Sequence, residues 1–333
     1  MYKIIMLLFL ATLFICPGPI GIQAKSPEKI SCSEAVRGFF FVPLYVADGK
    51  GFFEKEGLKV EIISTQGGPM AMQALVSGQV QFCATGHGQV AHLFEKGKKT
   101  KIVNLMQDKC TFSMVVRPEI KDLKDLKGKS VGCTKIGAET FGVGRFLAAN
   151  AGLDPQKDIT MVEVGGMSTM ASALENNRVQ GIMAWEPLTS RLISEKKGVM
   201  LVRLNTKKDS LKHFGSPYYS FSVLEVTDEY LKSNPKMVQK FVNALVVAEK
   251  WIANHSIEEL VDVVSPYFPG TGKDIIKISL EMDREAFSKD GIVTREGHNT
   301  TLKVFRDAGI VKQAVAFEDI VDNSFTEQAL KNR

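Results

Sequence analysis

The sequence predicts an α/β fold made of two lobes, each with its own sheet and its own helices. Short apolar runs alternate with segments of helical periodicity along residues 29–194, a pattern typical of α/β proteins. The strand–turn–helix order runs once to about residue 107 and starts again near residue 130. Two extended passages, near residues 109–117 and 216–226, join the two blocks. This layout favours two lobes on a two-strand hinge, followed by a helical C-terminal part.

The first block contains four predicted strands, at residues 29–32, 60–64, 80–84 and 101–107. A short helix starts at Pro43 and ends at a glycine turn, and a second helix spans Met70–Val76, where apolar residues recur at helical spacing. Pro69 stands near the start of this second helix, where its missing N–H costs little. A third helix runs from the turn after Thr85 to about Gly97.

The second block repeats this order, with predicted strands at residues 130–134, 159–164 and 179–184. Helices follow the turns that end at Thr140, Gly166 and Pro187. A strand at residues 220–226 returns the chain to the first lobe, and further helices are predicted at residues 228–232, 237–254, 257–266, 273–287 and 300–308. We therefore assign residues 29–113 and 222–330 to the first lobe and residues 114–221 to the second.

Residues 1–24 have the features of a cleavable secretory signal peptide. Lys3 supplies the positive start, residues 4–15 the apolar core and residues 22–24 the cleavage site. The apolar run is shorter than the roughly 20 residues that span a bilayer, which favours cleavage over a retained anchor. Cys16 offers a point for lipid attachment, but bulky residues precede it, where that processing prefers small ones. We expect an exported, periplasmic protein, with lipid anchoring less favoured.

The charge pattern argues against a nucleic-acid partner. The chain has 42 Lys and Arg residues against 37 Asp and Glu, a net charge of +5, and the two signs are mixed along its length. The one short basic run, at residues 96–101, is more typical of a solvated loop than of a nucleic-acid surface. We also expect a monomer, because a hinged protein must leave the rims of its cleft free.

Four cysteines follow the signal segment, at Cys32, Cys83, Cys110 and Cys133. Their spacing does not match that of metal ligands. Three of them lie near the ends of predicted strands, where cysteine commonly serves as a small buried apolar residue. Export permits disulfides, so a bond between Cys32 and Cys83 stays open if their strands are neighbours. We expect no metal and no cofactor.

Candidate site residues follow from the predicted strands, because ligands of open α/β sheets bind outside the carboxyl ends of the strands. Ten residues at or near these ends carry suitable side chains or backbone: Phe39, Phe40, Thr85, His87, Gln107, Gly137, Glu139, Thr140, Trp185 and Glu186. A dinucleotide site is not expected among them. The glycines at positions 142 and 144 lie inside a predicted helix, and the acidic residue that such a site needs about 20 positions later is missing.

Most of these positions have a structural alternative. Phe39 and Phe40 either line a pocket or fill the space between strand and helix. His87 donates to an anion at a helix N-terminus or only caps the helix. Trp185 stacks on a ligand or packs in the hinge.

The charge of the ligand is open at this stage. Glu139 and Glu186, together with Glu34, favour a ligand that carries an amine or amidine. His87 and Arg37, together with the helix N-termini, favour an anion. A zwitterion satisfies both sets, and the residues alone do not choose among the three.

Several segments resemble one known family when they are taken in order. They are PLYVADGKGFFEKEGLKVEII, GGPMAMQALVSGQVQFCATG, IKDLKDLKGKSVGC, the helix start at Gly137, NNRVQGIMAWEP and YLKSNPKMVQKFVNALVVAEKWI. In these segments the chain resembles the substrate-binding proteins of ABC importers for nitrate, sulfonate, taurine and thiamine-pyrimidine-type solutes, which are type II periplasmic binding proteins. The resemblance spans nearly the whole chain after residue 24.

The resemblance implies two Rossmann-like lobes with a ligand between them, and an ABC transporter permease with its ATPase as the partner. Family cleft positions correspond to Phe39, Thr85, His87, Gly137, Thr140, Trp185 and Glu186. The expected function is capture of a small polar, anionic or zwitterionic organic solute. Two alternatives stay open: an enzyme on the same fold, of the pyrimidine-synthase or menaquinone-pathway type, and a ligand-sensing subunit for a membrane kinase. The signal segment argues against the enzymes, and the cysteine-rich motif of the pyrimidine synthases is absent.

Overall fold

The computed structural model of the protein describes residues 26–331. The predicted signal peptide and Cys16 lie outside the described residues. Among residues 26–331, no helix has both the length and the apolar character that a membrane span requires.

Ten strands are present in the described part of the chain. They are β1 (Glu28–Glu34), β2 (Leu58–Ser64), β3 (Phe82–Gly86), β4 (Thr100–Leu105), β5 (Ser113–Val116), β6 (Lys129–Cys133), β7 (Ile159–Glu163), β8 (Gly181–Ala184), β9 (Val199–Arg203) and β10 (Ser222–Thr227).

These strands form two five-stranded sheets of the same topology. The first sheet has the order β2-β1-β3-β10-β4 and the second has the order β7-β6-β8-β5-β9. In the first sheet β10 runs antiparallel to both neighbours, and in the second sheet β5 does the same. The odd strand of each sheet is therefore the one that enters after the chain has crossed from the other block.

Fifteen α-helices surround the sheets within residues 26–331. They are α1 (Val42–Gly49), α2 (Phe52–Lys55), α3 (Gly68–Val76), α4 (His87–Glu95), α5 (Glu139–Asn150), α6 (Met167–Glu175), α7 (Leu188–Ser194), α8 (Lys207–Phe214), α9 (Asp228–Ser233), α10 (Pro235–Asn254), α11 (Ile257–Val264), α12 (Lys273–Asp283), α13 (Arg295–Asp307), α14 (Phe317–Ile320) and α15 (Ser324–Lys331). Four short 3-10 helices lie at residues 39–41, 123–126, 265–267 and 284–286.

The two passages between the sheets pair with each other. The N–H of Phe221 donates to the carbonyl of Gln107 at 3.0 Å, and the N–H of Tyr219 donates to the carbonyl of Asp108 at 2.9 Å. The predicted α/β fold with two sheets on a two-strand connection is thereby confirmed. The exact lobe boundaries, at residues 113 and 222, stay a prediction.

The C-terminal helices return to the first sheet, as the helical pattern predicts. In α10 the residues Phe241, Leu245, Ala248 and Ile252 recur at intervals of three or four and are all buried, which is the apolar face of an amphipathic helix. The ring of Phe241 stacks on that of Phe82 in β3, with centroids 4.1 Å apart. This face anchors α10 to the first sheet.

The prediction differs from the structure at several elements. The elements β9, α2, α8, α14 and α15 were not predicted, and α13 begins at Arg295 rather than at residue 300. The earlier start of α13 has a clear cause, because the Thr294 hydroxyl accepts a hydrogen bond from the N–H of Gly297 and caps the helix. The helix predicted at residues 273–287 ends at Asp283 and continues as a 3-10 turn.

The four described cysteines are buried and free, as the strand-end pattern predicts. Cys32 and Cys83 lie on adjacent strands, where Cys83 pairs in register with Ser33. No disulfide joins them.

Candidate functional site

A cavity lies where the carboxyl ends of the two sheets face each other. It is lined by residues from both sheets and from both connecting passages: Ala35, Val36, Phe40, Phe41, Gly67, Gly68, Thr85, Gly86, Gln89, Phe112, Thr134, Ala138, Glu139, Thr140, Phe221 and Ser222. Its volume is about 30 Å³, enough for one or two waters, so the two halves leave little space between them here.

Aromatic rings form one wall of this cavity. The ring centroids of Phe112 and Phe221 are 4.8 Å apart and their planes are nearly perpendicular. Phe40 approaches both rings edge to face, at 6.2 Å and 6.0 Å. Phe112 and Phe221 come from the two connecting passages, so the wall spans the region that joins the sheets.

Glu139, at the start of α5, brings a carboxyl group into the cavity. The residue is 4% exposed. Its Oε1 accepts a hydrogen bond of 2.8 Å from the Tyr219 hydroxyl, whereas Oε2 has no hydrogen-bond partner among residues 26–331. A buried carboxylate oxygen without a partner is costly in an empty protein and is a natural point of contact for a bound solute.

The Glu139 carboxyl group lies against the N-terminus of α4, on the other side of the cavity. A Cβ atom placed on Gly86, directly before α4, would come within 2.4 Å of Oε2. Burial raises the pKa of Glu139 to about 8, while the Tyr219 hydroxyl and the backbone N–H groups of Gln89 and Gly88 act in the opposite direction. These N–H groups approach the carboxyl group, but neither closes a hydrogen bond to Oε2.

Polar side chains around Glu139 are mostly paired with each other. The Thr85 hydroxyl donates to Gln89 Oε1 at 3.2 Å, which leaves Gln89 Nε2 as a free donor. Thr140 Oγ1 accepts from the N–H of Thr134 at 3.0 Å, and the two hydroxyl groups are 2.9 Å apart. The cavity thus offers one free carboxylate oxygen and one free amide N–H₂ group.

The structure brings four of the ten predicted site residues to this cavity: Phe40, Thr85, Glu139 and Thr140. Gly137 lines a neighbouring open groove of about 440 Å³ between α3, α4 and the loop before α5. Gln89 borders both spaces, so the cavity and the groove are adjacent. The other five predicted residues line neither space.

Trp185 lies behind the aromatic wall rather than in it. Its side chain is fully buried and its ring centroid is 5.9 Å from that of Phe40. Its Nε1–H donates to the carbonyl of Arg37 at 3.0 Å. Trp185 follows β8 of the second sheet and Arg37 follows β1 of the first, so this hydrogen bond joins the two halves of the protein. The position agrees with the alternative in which Trp185 packs near the hinge instead of stacking on a ligand.

Glu186 also takes part in contacts between the two halves. Its Oε2 accepts from the N–H of Ser190 at 3.1 Å and from the Ser279 hydroxyl at 2.8 Å. Burial raises the pKa of Glu186, while these two serines act in the opposite direction. Burial also raises the pKa of Asp283 well above its usual value, and the nearby Glu186 charge adds to this effect. Asp283 in turn accepts from Asn205 Nδ2 at 3.1 Å.

The three remaining predicted residues have partners outside the cavity. His87 Nε2 is 3.0 Å from Nδ1 of His298 on α13, and burial, followed by the His298 charge, lowers its pKa well below the usual value. The ring of Phe39 meets Phe268 edge to face at 4.8 Å. The side-chain oxygen of Gln107 accepts from the Thr111 hydroxyl at 3.0 Å.

Sequence reasoning missed several lining residues, and three of them had a usable signal. Gln89 stands four positions after Thr85 and so returns to the same face of α4, where helical spacing would have placed it. Gly67 and Gly68 were recognised only as a turn, although they follow β2 at the same sheet edge as Thr85. Phe221 lines the cavity and Tyr219 bonds to Glu139. Both come from a connecting passage, for which the rule of strand ends gave no signal.

Among the described residues no group of three or more His, Cys, Asp and Glu side chains is arranged to hold a metal ion.

Two curated relatives align with most of the chain. A Bacillus subtilis protein named as a binding protein, YtlA, is 26% identical over 96% of this chain and 98% of its own length. A 4-amino-5-hydroxymethyl-2-methylpyrimidine phosphate synthase of Aspergillus parasiticus is 25% identical over 75% of this chain and 74% of its own length. The longer alignment is thus with a protein named for binding.

The fold is that of the periplasmic binding proteins. The alkanesulfonate-binding protein SsuA from Xanthomonas axonopodis pv. citri, solved with bound MOPS, superposes with a TM-score of 0.74 at 15% identity, over 90% of this chain and 100% of its own. Residues 39–258 match the model of one protein family. That match covers more than half of this chain, so the chain belongs to the NMT1/THI5-like family.

Proposed function

We propose that this protein is an extracytoplasmic solute-binding protein, which captures a small solute between its two lobes and delivers it to an ABC transporter permease with its ATPase. The observation that carries the proposal is the cavity itself. It lies between the carboxyl ends of two separate sheets and takes lining residues from both, as expected where ligands of α/β proteins bind.

The proposed lobes, residues 29–113 with 222–330 and residues 114–221, would open and close about the paired connecting passages. In the closed conformation polar contacts join the two halves, among them Trp185 with Arg37 and Glu186 with Ser279. Apolar packing of α5 on α13 adds to them, with Gly142 against the Phe305 ring. A ligand shifts the balance toward this form only through contacts that exist when the cleft is closed. We assign these contacts to Phe40, Thr85, Glu139 and Thr140, with Gly137 at the mouth of the groove.

Export to the periplasm is part of the same proposal, because it gives residues 1–24 a role. A binding protein that serves an importer meets its solute outside the cytoplasmic membrane. Cell fractionation of the full-length protein tests this step. N-terminal sequencing of the exported form would identify the cleavage site.

The first experiment is a thermal-shift screen of the purified protein without residues 1–24. A ligand at 100 times its dissociation constant adds about 2.7 kcal/mol to the unfolding free energy, which raises the melting temperature by several degrees. Mass spectrometry of the supernatant after denaturation would identify a solute that co-purifies. A protein that carries no solute and responds to none in a broad panel would overturn the proposal.

An enzyme on this fold is the competing function, since one relative is named as a synthase. We disfavour it because the four described cysteines are separate, buried and free, whereas a cysteine-rich motif is the feature expected of the pyrimidine synthases. The test is turnover: a solute that binds and is recovered unchanged after prolonged incubation supports a binding protein, and a modified product supports the enzyme.

A further inference from the structure

The cavity contains one ionisable residue. Of the sixteen residues that line it, only Glu139 carries a titratable side chain, and none is a lysine, arginine or histidine. Arg37, which the sequence offered as a counter-charge for an anion, forms an ion pair with Glu34 at 2.9 Å instead. His87 is directed toward His298. The side chains therefore provide no positive charge for a bound anion.

Three helix N-termini border the cavity, those of α3, α4 and α5, and the one of α4 is already in use. α4 starts at His87, and the Glu139 carboxyl group lies against this end, close enough to exclude any side chain at Gly86. The positive end of a helix dipole stabilises a negative group within about one turn. At α4 this position is taken by the Glu139 carboxyl group, so that helix end is not open to an anionic solute.

The remaining surface suits a cation. The rings of Phe40, Phe112 and Phe221 form one wall, and the faces of aromatic rings attract cationic nitrogen, most strongly where water is excluded. Glu139 Oε2 is buried, has no partner among residues 26–331 and borders the same cavity. A protonated nitrogen placed between the rings and Oε2 would form a cation–π contact with the rings and donate a hydrogen bond to Oε2.

We propose that Glu139 Oε2 accepts a hydrogen bond from a cationic nitrogen of the solute, so that the cleft selects amine- or amidine-type solutes and rejects simple anions. This inference rests on the proposed function, which it deepens by naming the solute class. Gln89 Nε2, the free donor beside Glu139, would accommodate an acceptor atom of the same solute.

Binding of such a cation is coupled to a proton. The Glu139 carboxyl group of the closed, empty protein holds its proton up to about pH 8. When a cation binds, the carboxyl group forms an ion pair and releases that proton to the buffer. The ionisable groups that face Glu139 are the Tyr219 hydroxyl and the Cys110 thiol. Burial keeps the pKa of each well above its ordinary value, so both stay neutral at pH 7.

The test is a comparison of matched small probes by thermal shift and calorimetry at pH 7. The cationic probes are ethylammonium, acetamidinium and 4-aminopyrimidine, and the anionic probes are nitrate, acetate and methanesulfonate. We expect the wild-type protein to be stabilised by members of the first group only. In Glu139→Gln that response should weaken at least tenfold in dissociation constant. Glu119→Gln, which removes an exposed carboxylate from the same lobe, should behave as wild type.

Calorimetry gives a second readout that a merely structural role of Glu139 would not produce. The binding enthalpy of the wild type should depend on the ionisation enthalpy of the buffer, with about one proton released per cation bound. In Glu139→Gln this dependence should vanish even if binding is only weakened.

The outcomes separate this inference from the function on which it rests. A protein that is stabilised by anions and not by cations, or that co-purifies with an anionic solute, is still a binding protein but overturns the cationic class. Binding of a cation without proton release, unchanged in Glu139→Gln, overturns the role of Glu139. A protein that binds neither group and carries no solute overturns the proposed function as well.

Discussion

At the scale of single residues, the buried carboxyl groups determine how the protein responds to pH. Glu225 on β10 is fully buried. Burial raises its pKa to about 8, with the Thr100 hydroxyl acting in the opposite direction. The folded protein therefore holds this proton well above pH 4.5, the ordinary value. The stability that Glu225 contributes is complete below that pH and is lost as the pH rises through about 8.

We predict that the free energy of unfolding falls as the pH rises from 7 to 8. Over this range Glu225 alone should contribute a loss of about 1 kcal/mol, and Glu139 acts in the same direction. The buried histidines do not interfere, because their pKa values are lowered from 6.5 and they are neutral throughout. Urea unfolding at several pH values measures the slope, which should be shallower in Glu225→Gln. An identical slope in wild type and variant would contradict the prediction.

Trp185 provides a second prediction at this scale, because its position separates a packing role from a ligand role. Trp185→Phe removes the Nε1–H that bonds to the Arg37 carbonyl and leaves a small void in a fully buried site. We expect a loss of about 1–3 kcal/mol in unfolding free energy. Trp251→Phe, at a half-buried ring stacked on His255, should cost less. Unchanged stability combined with lost solute binding would favour the stacking role instead.

The sequence predicted which strand ends face the cleft better than it predicted where their side chains point. Thr85, Glu139 and Thr140 reach the cavity, while His87 and Trp185, from equivalent turns, point away from it. The direction of His87 depends on His298, which lies 211 positions later in the chain. No local pattern contains that information, because it arises only when α13 packs on α4.

At the scale of elements, α4 combines two functions that restrict its sequence. Its N-terminus faces the cavity, and its outer face packs against α13. A Cβ atom on Gly88 would lie 2.1 Å from the Phe305 ring, so this close approach requires glycine. The same ring is fully buried, so a Cβ atom at Gly88 would force it to shift within the core.

We predict that Gly88→Ala destabilises the protein by about 1–3 kcal/mol, the usual cost of overpacking a filled core. Thermal or urea unfolding measures the change. Gly272→Ala is the matched control, since no atom lies within 4 Å of the Cβ position there, and it should cost less. Equal stability of the two variants would mean that α4 and α13 separate more easily than their packing indicates.

Elements with a strong hydrophobic periodicity, or with glycines at their ends, were predicted well. Elements without these features were missed. β1 to β8 and the long α10 lie within a few residues of their predicted positions. The segment of α8, with the sequence KKDSLKHF, has few apolar residues and is held by the cap of Thr206 and by contacts to the C-terminal helices. Such a helix depends on its tertiary contacts, so its own residues do not predict it.

At the scale of the whole molecule, the equivalent topology of the two sheets explains why one cleft collects residues from the entire chain. β10 and β5 each cross into the opposite block, and this exchange brings the carboxyl ends of both sheets to one interface. The fold could be predicted from the sequence because it follows from the order of the elements. The size of the cavity could not, because it depends on side-chain contacts between the two halves, which no local pattern contains.

The proposed closure makes a direct prediction about solute exchange. At the mouth of the cleft the N–H of Gly166, before α6, donates to Oε1 of Gln66, after β2, at 3.3 Å. We propose the double variant Gln66→Cys with Gly166→Cys, joined by a short bifunctional maleimide. In the protein without residues 1–24 the four native cysteines are buried and should not react. If exchange requires the halves to separate, the cross-linked protein should neither take up nor release solute.

Two comparisons make this result specific to closure. The single variant Gln66→Cys, treated with a monofunctional maleimide, carries the same modification at the mouth and should exchange solute as the wild type does. The double variant before cross-linking should also exchange, because nothing then joins its halves. Cross-linked protein that exchanges solute at the wild-type rate would contradict the hinge. The open groove bordered by Gln89 and Gly137 would then be a sufficient route to the cavity, and the polar contacts between the halves would be permanent features of the fold.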